Sequence, residues 1–156
     1  EWRHIRWRTA MTLATDCRYD WLVDPHALRA CFALMRVLRP HLSDADDFLQ
    51  RLQRQAEQGY CLLAARAGDE VLGLAGCRLQ ENLLHGRFFY VDDLVTREDQ
   101  RSHGIGERLL SEVRAQARRL GCVNLVLDTA LGNARGQRFY YRQGLLGIGM
   151  HFREAL

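Results

Sequence analysis

The chain contains no lysine: all 22 of its cationic side chains are arginine. A phosphate-binding P-loop requires a Gly-Lys-Ser/Thr step, so that nucleotide-binding device is excluded. Runs of membrane-spanning length are also missing, and the opening EWRHIRWRT is cationic and aromatic where a secretion signal would be apolar. Neither insertion nor export is expected. The five cysteines (Cys17, Cys31, Cys61, Cys77 and Cys122) are odd in number, show no CxxC spacing and lie mostly in apolar runs. That pattern fits buried thiols in a reducing compartment and leads us to expect a cytoplasmic protein. The six histidines (His4, His26, His41, His85, His103 and His151) show no helical metal-ligand spacing and no cysteine pairs with them, so no metal site is expected. Net charge has little of either sign: 22 cations against 19 acids give +3. A mild pull towards anions follows, but not a nucleic-acid binder. Trp2, Trp7 and Trp21 among their arginines form the one arrangement that suits a nucleic-acid platform, and shielding of a first strand or a dimer contact explains them equally well.

What is present is a chain of 156 residues, 47% hydrophobic, enough for one compact domain with a full core over residues 1–156. Proline occurs twice and marks two boundaries. Asp24-Pro25 is a helix opening, a capping side chain followed by a residue suited to the first helical position, and Pro40 ends that helix. A second helix starts at Ser43, with Asp44, Asp46 and Asp47 facing the positive end of its dipole, and closes at Gly59. CLLAARA (61–67), the turn AGDE and VLGLAGCRLQ (71–80) read as a hairpin, and RFFYVDDLVT (87–96) as a third strand. Ile105, Leu109, Val113, Ala117 and Leu120 form one face of a long helix that Gly121 can end in a left-handed cap. VNLVLDTA (123–130) reads as a buried strand, NARGQRFYYRQ (133–143) as a short helix and LGIGMHF (146–152) as a last strand. A further strand is expected somewhere before Asp24. The order implies an α/β protein of the α+β type, a mixed twisted sheet with helices packed against it.

The stretch Arg101-Ser102-His103-Gly104-Ile105-Gly106 lies between the third strand and the long helix. Backbone N–H groups of a first helical turn lack intrahelical partners and hold anions well. Glycines at 104 and 106 keep side chains away from a bound phosphate, and Arg101 adds charge. A dinucleotide fingerprint would want a small residue at 109, where Leu stands, although Asp128 is spaced for a ribose contact. On residue type alone, glycines relieving backbone strain at a helix start explain the stretch as well.

Arg-x-x-Gly-x-Gly after an apolar strand, then a helix, a strand ending in an acid, Asn133 seven residues before Tyr140, and Gly144, resembles the coenzyme A-binding core of the GNAT N-acetyltransferases over about Arg87 to Leu145. The resemblance implies a mostly antiparallel GNAT-like sheet, acetyl-CoA as co-substrate, and acetyl transfer directly to a primary amine on a small cationic molecule or a peptide. It also implies a bulge in VDDL (91–94), which would spare one of two adjacent carboxylates from the apolar layer. Leu94, Val95 and Thr96 would then offer backbone groups to the pantetheine arm, with an N–H near Val95 polarising the thioester carbonyl. Arg101, Ser102, His103, Gly104, Ile105, Gly106 and Glu107 would hold the pyrophosphate, and Asn133 would hydrogen-bond the pantetheine. Tyr140 would give a proton to the departing sulfur. Asp92 or Asp93 is the first choice for the carboxylate that takes the amine proton, and Asp128 the second. For either aspartate of the pair a solvated strand end, or an ion pair with Arg87 or Arg97, is the equal alternative. LMRVLRPHL (34–42) is expected to shape the acceptor pocket, and a homodimer is compatible with the resemblance. A non-catalytic acyl-CoA-binding regulator and a dinucleotide-binding protein remain as alternatives.

Overall fold

The computed structural model describes residues 16–156; Trp2, Trp7 and His4 lie outside them. The strand expected before Asp24 is β1 (Arg18–Leu22). Asp24 caps α1 (Pro25–Ala30) by accepting from the Ala27 N–H at 2.8 Å. The helix expected to run on to Pro40 instead divides at Cys31, whose N–H donates to Leu28 O at 3.1 Å, an i to i−3 bond that tightens the turn before α2 (Phe32–Leu38). The cap of α3 (Ala45–Ala56) is Asp44 rather than Ser43: its Oδ1 accepts from the N–H groups of Asp46 and Asp47 at 2.9 and 2.8 Å.

The sheet has the order β1, β2 (Tyr60–Ala67), β3 (Glu70–Asn82), β4 (Gly86–Thr96) and β5 (Asn124–Leu127). Neighbours are antiparallel from β1 to β4, and β5 runs parallel to β4. The parallel step follows from chain logic, because α4 (Ile105–Arg119) carries the chain back across the sheet before β5. After β5 comes α5 (Ala134–Arg142).

Side-chain alternation along the strands feeds two cores. On one face Leu62, Ala64, Leu74 and Val95 pack with Leu34, Met35, Phe48 and Leu52 of α2 and α3. On the other, Leu63, Ala75, Phe89 and Val91 meet Ile105, Leu109, Val113 and Ala117, the periodic face of α4. Each fully buried Leu, Val or Phe contributes about 1.5–3 kcal/mol relative to exposure. Gly73 lets α4 sit this low, since a Cβ there would lie 2.8 Å from Ile105 Cγ2.

The strand expected at 146–152 does not form. Residues 145–156 have no regular secondary structure, and Leu146, Ile148, Met150 and Phe152 are all exposed. The period-two pattern is real, but among the described residues no neighbouring strand pairs with it, and a strand needs a ladder partner for its backbone. The strand at 123–130 is likewise shorter than expected, four residues.

Candidate active site

Strand β4 breaks register at its middle. Cys77 of β3 lies opposite Val91 and Gly76 opposite Asp93, so Asp92 is an extra residue, the bulge expected in VDDL. Both adjacent carboxylates thereby turn to partners. Arg78 grips Asp92 bidentately, Nε to Oδ2 at 2.8 Å and Nη2 to Oδ1 at 2.6 Å. Arg39, from the α2–α3 connection, donates Nε to Asp93 Oδ1 at 2.8 Å and Nη2 to the carbonyl oxygen of Asp92 at 2.7 Å. Tyr60 Oη donates to Asp93 Oδ2 at 2.8 Å. Burial, and next the charge of Asp93, push the Tyr60 phenol well above its ordinary range, so it stays a donor.

The same bulge opens an edge. Pairing of β4 with β5 covers Phe88 to Val91 opposite Asn124 to Leu127 and stops there. The Arg97 N–H donates to Leu72 O at 2.9 Å, so by the alternation of an antiparallel ladder Val95 also turns its backbone groups to β3. Leu94 and Thr96 therefore face away, towards the gap beyond the end of β5. Of the expected trio, these two offer free backbone groups, while the Val95 N–H is directed at β3.

The chain then turns through the glycine stretch. Ser102 has φ 67°, Gly104 has φ 79°, and Gly104 occupies the N-cap position of α4 without any side-chain cap. The N–H groups of Ile105, Gly106 and Glu107 are the orphan donors of that first turn. A Cβ on Gly104 would meet nothing within 4 Å, so the approach is open, whereas one on Gly106 would press Phe139 Cζ at 3.3 Å. Arg101 is half exposed and only loosely held, 3.9 Å from Glu98. Ser102 and His103 are exposed beside it. These features fit a pyrophosphate: first-turn amides without a side-chain cap, the positive end of the helix dipole and a loosely held cation beside them.

Helix α5 closes the far side. Asn133 is its N-cap, accepting from the Gly136 N–H at 3.0 Å and donating Nδ2 to Thr129 Oγ1 at 2.9 Å, so part of its hydrogen-bonding capacity serves the fold. Tyr140 is half-buried and its hydroxyl makes no hydrogen bond among the described residues; burial, then the charge of Asp128, raise its pKa above the ordinary phenol value. Tyr141 is 59% exposed. Asp128, just past β5, accepts a hydrogen bond from Tyr90 Oη and lies 2.9 Å from His151 Nδ1. Arg78 and Tyr90 are cross-strand partners, so Asp92, Arg78, Tyr90, Asp128 and His151 form one polar row running from the bulge to the end of β5.

On the α2–α3 side of the bulge is a cavity of about 300 Å³, lined by Asp92, Asp93 and Tyr60, by the apolar Met35, Leu42, Phe48 and Leu52, and by Arg39, His41, Arg51 and Gln55. Met35, Arg39, His41 and Leu42 of LMRVLRPHL are among its lining residues. The expected counter-ions of the aspartate pair are replaced: Arg87 donates to Leu120 O and Arg97 pairs with Glu70 and Asp99, while Arg78 and Arg39 hold the carboxylates. The sequence reading missed Arg39, Tyr60, Arg78, Tyr90 and His151. Arg78 was detectable as the one charge inside an apolar strand facing VDDL; the others join through tertiary contact alone.

The described residues thus include a strand edge left unpaired past Val91, a helix start without a side-chain cap, a half-buried phenol without a partner and the carboxylates of the bulge. The acetyltransferase (GNAT) family matches residues 12–145. The Bacillus subtilis (strain 168) protein YhdJ, described as an uncharacterized N-acetyltransferase, is 30% identical over 110 residues, 70% of this chain and 77% of that protein. Among solved structures, AAC(6')-Iy in complex with the bisubstrate analog CoA-S-monomethyl-acetylneamine superposes with a TM-score of 0.77 at 17% identity, covering 90% of this chain and 99% of that one. An acetyltransferase of Trypanosoma brucei gives 0.76 at 18%, covering 90% and 100%. The chain belongs to the GNAT acetyltransferase family and is an acetyl-CoA-dependent N-acetyltransferase.

Proposed function

We propose that the protein passes the acetyl group directly from acetyl-CoA to a primary amine entering from the α2–α3 cavity. The supporting observation is that β4, whose backbone at Leu94 and Thr96 faces away from β3, is followed within ten residues by the turn at Gly104, which starts α4 without a side-chain cap. In this reading Arg101 and the amides of residues 102–107 bind the pyrophosphate. Thr96, Leu94 and the remaining N–H of Asn133 bind the pantetheine arm. The outward N–H of Leu94, beside Val95, polarises the thioester carbonyl as the amine nitrogen attacks its carbon and the carbon–sulfur bond breaks. Tyr140 supplies the proton to sulfur, and its raised pKa keeps that proton in place at neutral pH.

For the amine proton we rank Asp128 above Asp92 and Asp93. Each of the pair is already engaged by an arginine, and their side chains are 19% and 12% exposed, which leaves little access for an incoming amine. Asp128 has no arginine partner among the described residues, is 52% exposed, and touches His151, through which a proton can leave to water. Asp92 and Asp93 then shape the bulge and face the amine without taking its proton.

A thermal-shift screen with acetyl-CoA, coenzyme A, NAD and ATP tests the co-substrate. Binding to the folded state raises the melting point by mass action, and only the first two ligands are expected to do so. A preference for NAD, or stabilisation by acetyl-CoA with no thiol released across an amine panel, would overturn the enzymatic reading.

A further inference from the structure

The cavity beside the bulge has more to say about the acceptor than its acids do. Resting on the acetyltransferase reading above, we propose that the acceptor is a zwitterion of amino-acid type: an amine and an anionic carboxylate on one small molecule with an apolar body.

Charge accounting removes the polycations first. Asp92 is gripped by Arg78, and Asp93 by Arg39 and Tyr60, which uses the strongest acceptor directions of both carboxylates. The remaining acid near the lining is Asp47, which accepts from Arg51 Nε at 2.7 Å. Three acids face three arginines, so the cavity has no surplus negative charge for a second or third ammonium group. The leftover lone pairs of Asp92 and Asp93, which line the cavity, suffice for one amine.

The spare hydrogen-bonding capacity elsewhere is of donor type. Arg39 uses Nε and Nη2, leaving Nη1 without a partner among the described residues, and Arg51 uses Nε alone, leaving both terminal nitrogens. A guanidinium has donors only, so these groups are complemented by an acceptor-rich anion and by nothing cationic. Gln55 and His41 complete the polar lining. The rest of the lining, Met35, Leu42, Phe48 and Leu52, is apolar, and those four side chains favour an aliphatic or aromatic group and offer no hydrogen bond to a hydroxyl. A cavity of about 300 Å³ is at the small end for ligand sites and matches a single amino acid better than a folded peptide segment.

The test compares matched acceptors by thiol release from acetyl-CoA: L-leucine, L-methionine and L-phenylalanine, their amides, the corresponding amines without the carboxylate, and spermidine. The free acids are expected to exceed their amides in kcat/KM by about tenfold or more, the worth of one charge-assisted hydrogen bond. In Arg51→Ala that ratio falls towards one, and Arg51→Lys restores part of it. Because the readout is a ratio within one protein, partial unfolding of a variant leaves it unmoved. Equal or faster turnover of amides or spermidine overturns the proposal, as does a ratio indifferent to Arg51. Acetyl-CoA stabilisation with no turnover of any free acid overturns it as well, while absence of acetyl-CoA binding sinks the acetyltransferase reading beneath it, so the two failures are distinct.

Discussion

Tyr60 donates its hydroxyl to Asp93 directly above Gly76, in the space that any side chain at Gly76 would fill. The aligned pair Gly76 and Asp93 is also the first one past the bulge, so the glycine, the phenol and the carboxylate fix where β4 leaves its regular path.

In Gly76→Ala the new Cβ would lie 2.6 Å from Tyr60 Cζ and 2.8 Å from Asp93 Oδ2, well inside van der Waals contact. Tyr60 is buried and cannot swing aside freely, so the variant is expected to lose about 1–3 kcal/mol of stability by overpacking. The amine KM should rise more than that of acetyl-CoA, because the displaced groups line the acceptor cavity. Denaturant midpoints together with the two KM values check this; an unshifted midpoint would show that the ring has room.

Tyr140→Phe removes the hydroxyl and keeps the ring against Phe139. The expected result is a drop in kcat of about a hundredfold, the ordinary scale for one proton-transfer group, with acetyl-CoA affinity retained. Tyr141→Phe, at the exposed neighbour, serves as control and leaves kcat in place. A Tyr140→Phe enzyme at full rate rules out the acid role.

Asp128→Asn leaves Tyr90 and His151 facing a neutral amide that still accepts a hydrogen bond. If Asp128 takes the amine proton, kcat/KM falls by about a hundredfold, whereas Asp93→Asn lowers the denaturant midpoint and leaves kcat within a few-fold of the parent. The reverse outcome returns the base to the bulge.

Burial pushes the Cys31 thiol up to about 12 and the Cys61 thiol up to about 11, from an ordinary 9.0. A group with a raised folded-state pKa adds stability that is complete below its unfolded value and is lost as pH rises towards the folded one. The melting temperature is therefore expected to decline from about pH 9 to pH 11, with a shallower decline in Cys31→Ala, which removes one of the ionising thiols. Identical slopes in the two proteins would mean that other groups dominate.

Legibility in the sequence follows the range of the interactions. The start of α4 and the hairpin of β2 and β3 rest on local periodicity and glycine placement, which the sequence states openly. The bulge at Asp92 was inferable because two adjacent carboxylates in an apolar strand cannot both be placed well. The counter-ions were not, since Arg39 meets Asp93 across 54 positions. The division of labour among Leu94, Val95 and Thr96 needed the ladder phase, which a single Arg97 bond sets. The segment at 146–152 shows the converse failure, an alternating pattern that names a strand without supplying the partner it must pair with.

The absence of lysine takes on a new meaning around this cleft. Arg39 and Arg78 hold the two carboxylates of the bulge, and in the reading proposed above a lysine in either place would itself be a primary amine beside the thioester. A guanidinium keeps its proton at every pH at which the protein is folded and has no nucleophilic nitrogen to offer. Walls built from arginine can thus balance charge and orient ligands without being consumed by the reaction they surround.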